Sequence, residues 1–428
     1  MNPYETPSAS INTPTSSTPR GFWNLMFTQF QGAFSDNALK WLVVYLVFKM
    51  GFSDEKQDSL VTLAGGVFAV PFLLFSMWGG WLSDRFSKRT VMMGVKAAEA
   101  GIMLFAAVGL WMESLPLQMA AICLMGVHSA VFAPAKYGIL PEILPASRLS
   151  WGNGILELLT FVAIIAGTVA GGYLADALHG RQAWSGILLA ILAAVGFLTS
   201  VGSPKVPAAD PKKPFVWNFP AEIWRQLKRM KPDRDLWRAN LGNTGFFYIA
   251  ALVQLNLALY AKQDFGLGPT EQSWLQAALC LGIGGGSAFT GHFSHGRIAY
   301  GFIPVGATLM ALASVVMGIH GISQTMFTAA LAALGVGSGM FIVPVAAVLQ
   351  HRPPANEKGA VQGVASWVSW IGILAASLTL ELLGKVFRLS HAEVFWFCGA
   401  CALAAGLYVA KSRPGAIKDL FRPKTEGS

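Results

Sequence analysis

Asp36 and Lys40 stand four residues apart inside a long apolar run, FQGAFSDNALK at 30–40. That spacing puts a carboxylate and an ammonium on one helical face, one turn apart, where each neutralises the other locally. Further on, Lys136 follows Pro134, and Asn153 and Glu157 repeat the spacing of four. An ionised side chain sunk in apolar sequence costs several kcal/mol unless it faces protein or water. Two roles therefore stay open for Asp36 and Glu157. They are buried structural partners, or they face a cavity and handle a substrate or a proton.

A second constellation is GGWLSDRFSKR, 79–89, with one acid among several bases at the junction of two apolar runs. Such a junction makes charge-assisted contacts in one conformer and loses them in another, which a two-state gate requires. It resembles the loop motif GxxxDRxGRR of the major facilitator superfamily, with Gly80, Asp84, Arg85, Lys88 and Arg89 matching and Ser87 in the place of a Gly. The resemblance implies gating roles for those five residues. The corresponding second-half segment, GHFSHGR at 291–297, keeps only Gly291 and Arg297.

Other reactive side chains read as structural. Cys398 and Cys401 form a CxxC without a second ligand pair, and Cys123 and Cys280 also lie in apolar sequence, so neither metal nor disulfide chemistry is expected. His292 and His295 fall in an expected loop, and no cofactor is expected. Lys96 and Glu99, three apart, read as a local pair reaching out to the membrane interface, and His128 as a helix-packing hydrogen bonder. Asn240 and Asn243 are left between lining a cavity and bonding across helices. Glu381 and Lys385 read as an interfacial pair, Gln350 and Gln362 as flanks of an inner gate, and Gly167, Gly171 and Gly172 as close-packing positions.

These residues must be positioned by a membrane-embedded frame. Of 428 residues 54% are hydrophobic and only 12% charged, and the mean hydropathy is +0.51, which excludes an ordinary soluble enzyme. Six apolar stretches occupy 21–201 and six more 237–411, each about the 20 residues a membrane span needs. The expectation is an all-α polytopic membrane protein of the major facilitator fold, with 12 transmembrane helices in two six-helix domains. Residues 1–20 read as a disordered cytoplasmic tail and 412–428 as a second cytoplasmic tail. The connector at 202–236 holds eight Lys or Arg against four Asp or Glu, and its FPAEIWRQLKRMKP segment reads as an amphipathic helix on the membrane surface. It is too small a basic surface for nucleic acid. Alternate loops divide Lys and Arg 22 to 6 in favour of the side that holds both termini, which predicts that side to be cytoplasmic.

SDNAL (35–39), PAKYGIL (134–140), GNGILE (152–157), AGGYLAD (170–176) and GMFIVPVAAVLQHR (339–352) together resemble the lysophospholipid transporter family, bacterial inner-membrane flippases within the same superfamily. The resemblance implies movement of lysophosphatidylethanolamine-like lipids across the cytoplasmic membrane by alternating access, with Asp36, Lys136 and Glu157 serving transport. A zwitterionic headgroup explains why one pocket needs both signs. Members of that family have an Arg in span 7, where this chain offers Gln254 and Asn256. Neutral amides replace a bidentate phosphate ligand there, and Lys40 is a candidate substitute. The expected substrate-contacting set is thus Asp36, Asn37, Lys40, Lys136, Asn153, Glu157, Gln254 and Asn256. Expected partners are the lysolipid and membrane lipids, with a lysolipid acyltransferase as user of the product, and the protein is expected to be monomeric. The competing reading is a proton-coupled exporter of drugs or small metabolites, in which Asp36 or Glu157 titrates. An acyltransferase reading lacks an HxxxxD-type pair.

Overall fold

The structure, a computed structural model, describes residues 19–411 and 415–420, and the regular structure among them is helical. The first half comprises α1 (Pro19–Lys49), α2 (Asp54–Arg85), α3 (Lys88–Trp111), α4 (Leu115–Ile143), α5 (Leu149–Ala177) and α6 (Ala183–Val201). The linker carries α7 (Phe219–Met230). The second half comprises α8 (Arg234–Gln263), α9 (Pro269–His292), α10 (Phe302–Met317), α11 (Gln324–His351), α12 (Lys358–Lys385) and α13 (His391–Ala410), followed by the short α14 (Ala416–Leu420). The tails expected at 1–20 and 412–428 lie mostly outside the described residues. Pro19 and Arg20 already belong to α1.

Polar residues punctuate the chain where helices begin. Asp233 accepts from the Asp235 and Leu236 amides at the head of α8, Ser323 caps α11, and Ser390 with Glu393 forms a reciprocal capping box on α13. Each cap occupies amides that have no intrahelical partner.

Among the described residues nine helices are long and apolar enough to cross a membrane, and α10 is a shorter apolar helix of 16 residues. The other two of the twelve, α1 and α9, are long but diluted, α1 by Gln29, Gln31, Asp36, Asn37 and Lys40 and α9 by its Gly-rich GIGGGSAFTG segment. Large apolar side chains such as Ile191, Leu198, Leu378 and Leu407 are exposed, the pattern of a bundle whose surrounding solvent is lipid.

The same packing recurs six spans on. In the first half α1 packs on α5, α2 on α4 and α3 on α6, and in the second α8 packs on α12, α9 on α11 and α10 on α13. The halves meet chiefly along α5–α9 and α2–α12. Small residues set that approach at the end of the bundle that carries the linker. A Cβ on Gly154 of α5 would sit 2.5 Å from the Ser287 carbonyl oxygen of α9, and one on Gly80 of α2 would sit 2.6 Å from the Gly359 carbonyl oxygen of α12. Gly167 and Gly171 press instead on the α1 backbone at Phe34 and Ala38, within their own half, and Gly172 faces open space, so it is no packing position. At the opposite end the halves part, leaving a cleft of about 640 Å³ between α1 and α5 on one side and α8 and α9 on the other.

Candidate functional site

Where the halves meet, α4 and α5 face α8, α11 and α12 across a small cavity of about 120 Å³, lined among others by Tyr137, Glu157, Asn243, Gln362, Ser369 and Trp370. Glu157 is 8% exposed and accepts a hydrogen bond from the Tyr137 hydroxyl at 3.2 Å. Lys136 lies in Coulombic reach of both Glu157 and Asp36, with its ammonium 4.5 Å from the centre of the Tyr137 ring. Asp36 accepts from the Ser129 hydroxyl at 2.8 Å through Oδ2, while its Oδ1 is buried and has no hydrogen-bond partner among the described residues. An acceptor left so costs about 1–3 kcal/mol, and more for a charged group. Lys40 interacts with Asp36 through space, but its ammonium sits 3.5 Å over the Phe68 ring. The intrahelical ion pair expected from the spacing is thus replaced by a cation–π contact, which leaves Asp36 less neutralised than the sequence suggests.

The remaining members of the expected set separate. Asn37 and Gln254 line the 640 Å³ cleft, with Trp41, Ile164, Val169 and Trp274. Asn256 donates to the His391 carbonyl oxygen at 2.8 Å and so ties α8 to α13. Asn153 exchanges two hydrogen bonds with Gln350 of α11, at 2.8 and 2.7 Å, both residues being fully or nearly fully buried. That amide pair joins the two halves one turn from Glu157. A double-mutant cycle on Asn153→Ala and Gln350→Ala should return a coupling of about 1–2 kcal/mol in thermal stability. Strictly additive losses would mean that the pair is not formed.

A buried network lies behind Asp36 that sequence reasoning placed wrongly. Lys96 and Glu99 do not reach the interface: both are 0% exposed. Lys96 Nζ donates to Glu99 Oε2 at 2.6 Å and to Gln31 Oε1 at 2.7 Å, and Gln31 Nε2 donates to Glu99 Oε1 and to Ser35 Oγ, each at 2.8 Å. His128 Nε2 stands 3.1 Å from Glu99 Oε2, and His128 Nδ1 is 3.4 Å from Ser129 Oγ. Gly32 makes the room, since a Cβ there would lie 2.8 Å from Lys96 Nζ. The missed signal was Gln31, one residue before that Gly in a polar-rich α1. Asn243 donates to Ser369 at 2.8 Å and also lines the small cavity, so both readings of it hold, whereas neither side-chain atom of the buried Asn240 has a hydrogen-bond partner among the described residues. Glu381 and Lys385 pair on the exposed surface. The four cysteines are free, and among the described residues no group of three His, Cys, Asp or Glu is placed to hold a metal.

At the linker end, Asp84 closes α2 against the head of α12. Its Oδ1 accepts from the Gly359 amide at 2.7 Å, and its Oδ2 from the Ala360 amide at 2.9 Å and from Lys213 Nζ of the linker at 2.7 Å. A carboxylate on a helix N-terminus gains from the unpaired amides and from the helix dipole. Gly80 allows the approach. Arg85 donates to the Lys213 carbonyl oxygen, Arg89 to that of Val201, and the buried Lys88 to Glu142 Oε1 at 2.5 Å. Of the five motif residues, Gly80 and Asp84 therefore touch the other half. The three bases stay within their own half or bind the linker.

A twelve-helix bundle built of two repeated halves, latched at one end through this motif, has a counterpart in a known family. The family model described as Major Facilitator Superfamily matches residues 25–377, with a further match over 247–420. The chain belongs to the major facilitator superfamily. Among its relatives is the Lysophospholipid transporter LplT of Salmonella newport (strain SL254), 29% identical over 392 residues, covering 87% of this chain and 89% of that one. Superfamily members of known structure share the fold. The human organic anion transporter MFSD10 (TETRAN) superposes with a TM-score of 0.77 at 15% identity, covering 91% of this chain and 99% of that one. FucP in its outward conformation gives 0.74 at 11% identity, covering 91% and 98%.

Proposed function

We propose that this chain carries lysophospholipids of the lysophosphatidylethanolamine type across the bacterial cytoplasmic membrane by alternating access. The observation that carries the reading is the buried Oδ1 of Asp36, which has no partner among the described residues, held near Lys40 and Lys136, with Glu157 also near Lys136. One region thereby offers acceptors for an ammonium and donors for a phosphate. Similarity to proteins named lysophospholipid transporters, over most of both chains, supports the same substrate class. The 22-to-6 division of basic residues supports a cytoplasmic linker end and cytoplasmic termini. The cleft bordered by Asn37 and Gln254 then opens in the outer half of the membrane, and its Ile164, Ile165 and Leu257 suit an acyl chain. Keeping that chain out of water matters, because each exposed methylene costs about 0.8 kcal/mol.

In this cycle Asp36 and Glu157 take the ammonium, Lys136 and Lys40 the phosphate, and Gln254 gives neutral hydrogen bonds from the second half. The Asp84 contacts and the Asn153–Gln350 pair hold the cytoplasmic side shut while the outer cleft is open. Transport needs no catalytic residue and no cofactor. The protein works as a monomer, and a lysolipid acyltransferase consumes what it delivers.

Purified protein in liposomes, given labelled lysophosphatidylethanolamine with and without a pH gradient, tests the reading. Losing one charge-assisted contact worth about 1.5–3 kcal/mol should slow Asp36→Asn and Glu157→Gln by about 10- to 100-fold. No movement by the wild type, or equal movement by the variants, would sink the proposal. Gradient-driven extrusion of a water-soluble compound would make it an exporter.

A further inference from the structure

We propose that the linker between the halves is a docking surface for an anionic lipid leaflet. Its inner side is fixed by bonds to the bundle. Ser87 donates to the Val206 carbonyl oxygen at 2.7 Å, the Asp210 amide to the Asp84 carbonyl oxygen at 2.8 Å, and Trp81 Nε1 to the Pro214 carbonyl oxygen at 2.9 Å. On α7, Arg229 and Gln226 bond Glu357 at 2.8 and 3.1 Å, while Ile223 and Met230 are buried against the second half. The first stretch of the linker thus lies on the first half, and α7 lies chiefly on the second, with Phe219 also set against Trp78 of α2. What points outward is therefore set by the fold rather than by a loose chain.

That outward side combines large aromatics with unbalanced positive charge. Trp217 is 80% exposed and Trp224 62%, with Lys228 Nζ 5.3 Å from the centre of the Trp224 ring. Lys205, Lys212, Lys228, Lys231 and Arg234 are exposed and form no ion pair among the described residues. Three of the four linker acids are engaged by arginines, Glu222 by Arg225 and Asp233 and Asp235 by Arg352, and the fourth, Asp210, accepts from the Lys212 amide. Exposed indole rings beside free ammonium groups, at the rim of a membrane-spanning bundle, match an interface of glycerol backbones and anionic headgroups.

The proposal is independent of what the protein carries, and the test reads no transport. The full chain is placed in nanodiscs of phosphatidylcholine alone or of equal parts phosphatidylcholine and phosphatidylglycerol, and trypsin cleavage after Lys212, Arg225 and Lys228 is followed. Phosphatidylglycerol should slow cleavage at least tenfold, and 0.5 M salt should restore it. Lys205→Gln/Lys231→Gln, which leaves the cleavage sites in place, and Trp217→Ser/Trp224→Ser should each lose most of the protection. All four positions are exposed, so the fold is spared, and size-exclusion elution of each variant checks this. Equal cleavage in the two lipids overturns the proposal, as does protection that survives both salt and the Lys→Gln changes. Protection by soluble polyglutamate in neutral nanodiscs, as strong as that given by phosphatidylglycerol, would assign the surface to an acidic protein instead.

Discussion

Lys96→Met is expected to lower the stability of the first half by about 3–5 kcal/mol, the cost of removing one partner from a buried ion pair. Among the described residues the substitution leaves the Glu99 carboxylate, 0% exposed, with only Gln31 and His128 as polar partners, and leaves Gln31 Oε1 without its donor. Removing both charges is different. Lys96→Met/Glu99→Leu replaces the pair by apolar groups of similar volume, so most of the loss should be recovered, and its thermal midpoint should lie clearly above that of Lys96→Met. Midpoints in detergent at one fixed scan rate check the order, since membrane proteins often denature irreversibly. If Lys96→Met matches the wild type, the pair is solvated and the network as described does not exist. The same comparison bears on transport, because His128 and Ser129 link this network to Asp36.

Asp84→Asn should open the linker-end latch. The first amides of any helix lack intrahelical acceptors, and those of Gly359 and Ala360 are bonded by the Asp84 carboxylate across the boundary between the halves. An amide offers one oxygen where the carboxylate offers two, turns an N–H2 toward a donor, and drops the charge that Lys213 and the helix dipole favour. Summing a charge-assisted bond and the dipole contribution gives about 3 kcal/mol, or about a 100-fold shift between the closed and open arrangements. Hydrogen exchange at the first turn of α12 should accelerate by about that factor, with little change in the buried core of α11. Exchange unaltered at Gly359 and Ala360 would mean that their protection comes from elsewhere. Asn153→Ala should add to the effect, since the amide pair with Gln350 secures the same end through different helices.

Much of the architecture was readable in advance, for a reason specific to membranes. Lipid cannot satisfy backbone amides, so an apolar run of span length has one structural solution, and counting runs counts helices. The 6 + 6 layout, the amphipathic linker segment that became α7, and the motif at 79–89 follow from that constraint and from residue spacing. The polar residues were legible as a set, because charge in apolar sequence is conspicuous. Their partners were not. Spacing of four put Lys40 beside Asp36, yet Phe68 of α2 takes the Lys40 ammonium. Spacing of three did pair Lys96 with Glu99, but Gln31 and His128, from α1 and α4, decide that the pair stays inside.

Asn153 makes the division plain. Sequence placed it on the same face as Glu157, one turn away, and nothing local distinguishes the two. Rotation of α5 against α11 gives Asn153 to Gln350, while Glu157 reaches the cavity between the halves. The sequence by itself determined the twelve long helices, their membrane setting and which residue types are costly enough to need a partner, because these depend on local hydropathy and short-range spacing; the short α14 it did not give. Only the tertiary structure decided which costly residue meets which, because helix rotation and crossing are set by packing between segments far apart in the chain. Gly32, Gly80 and Gly154 admit a neighbour where any larger side chain would exclude it.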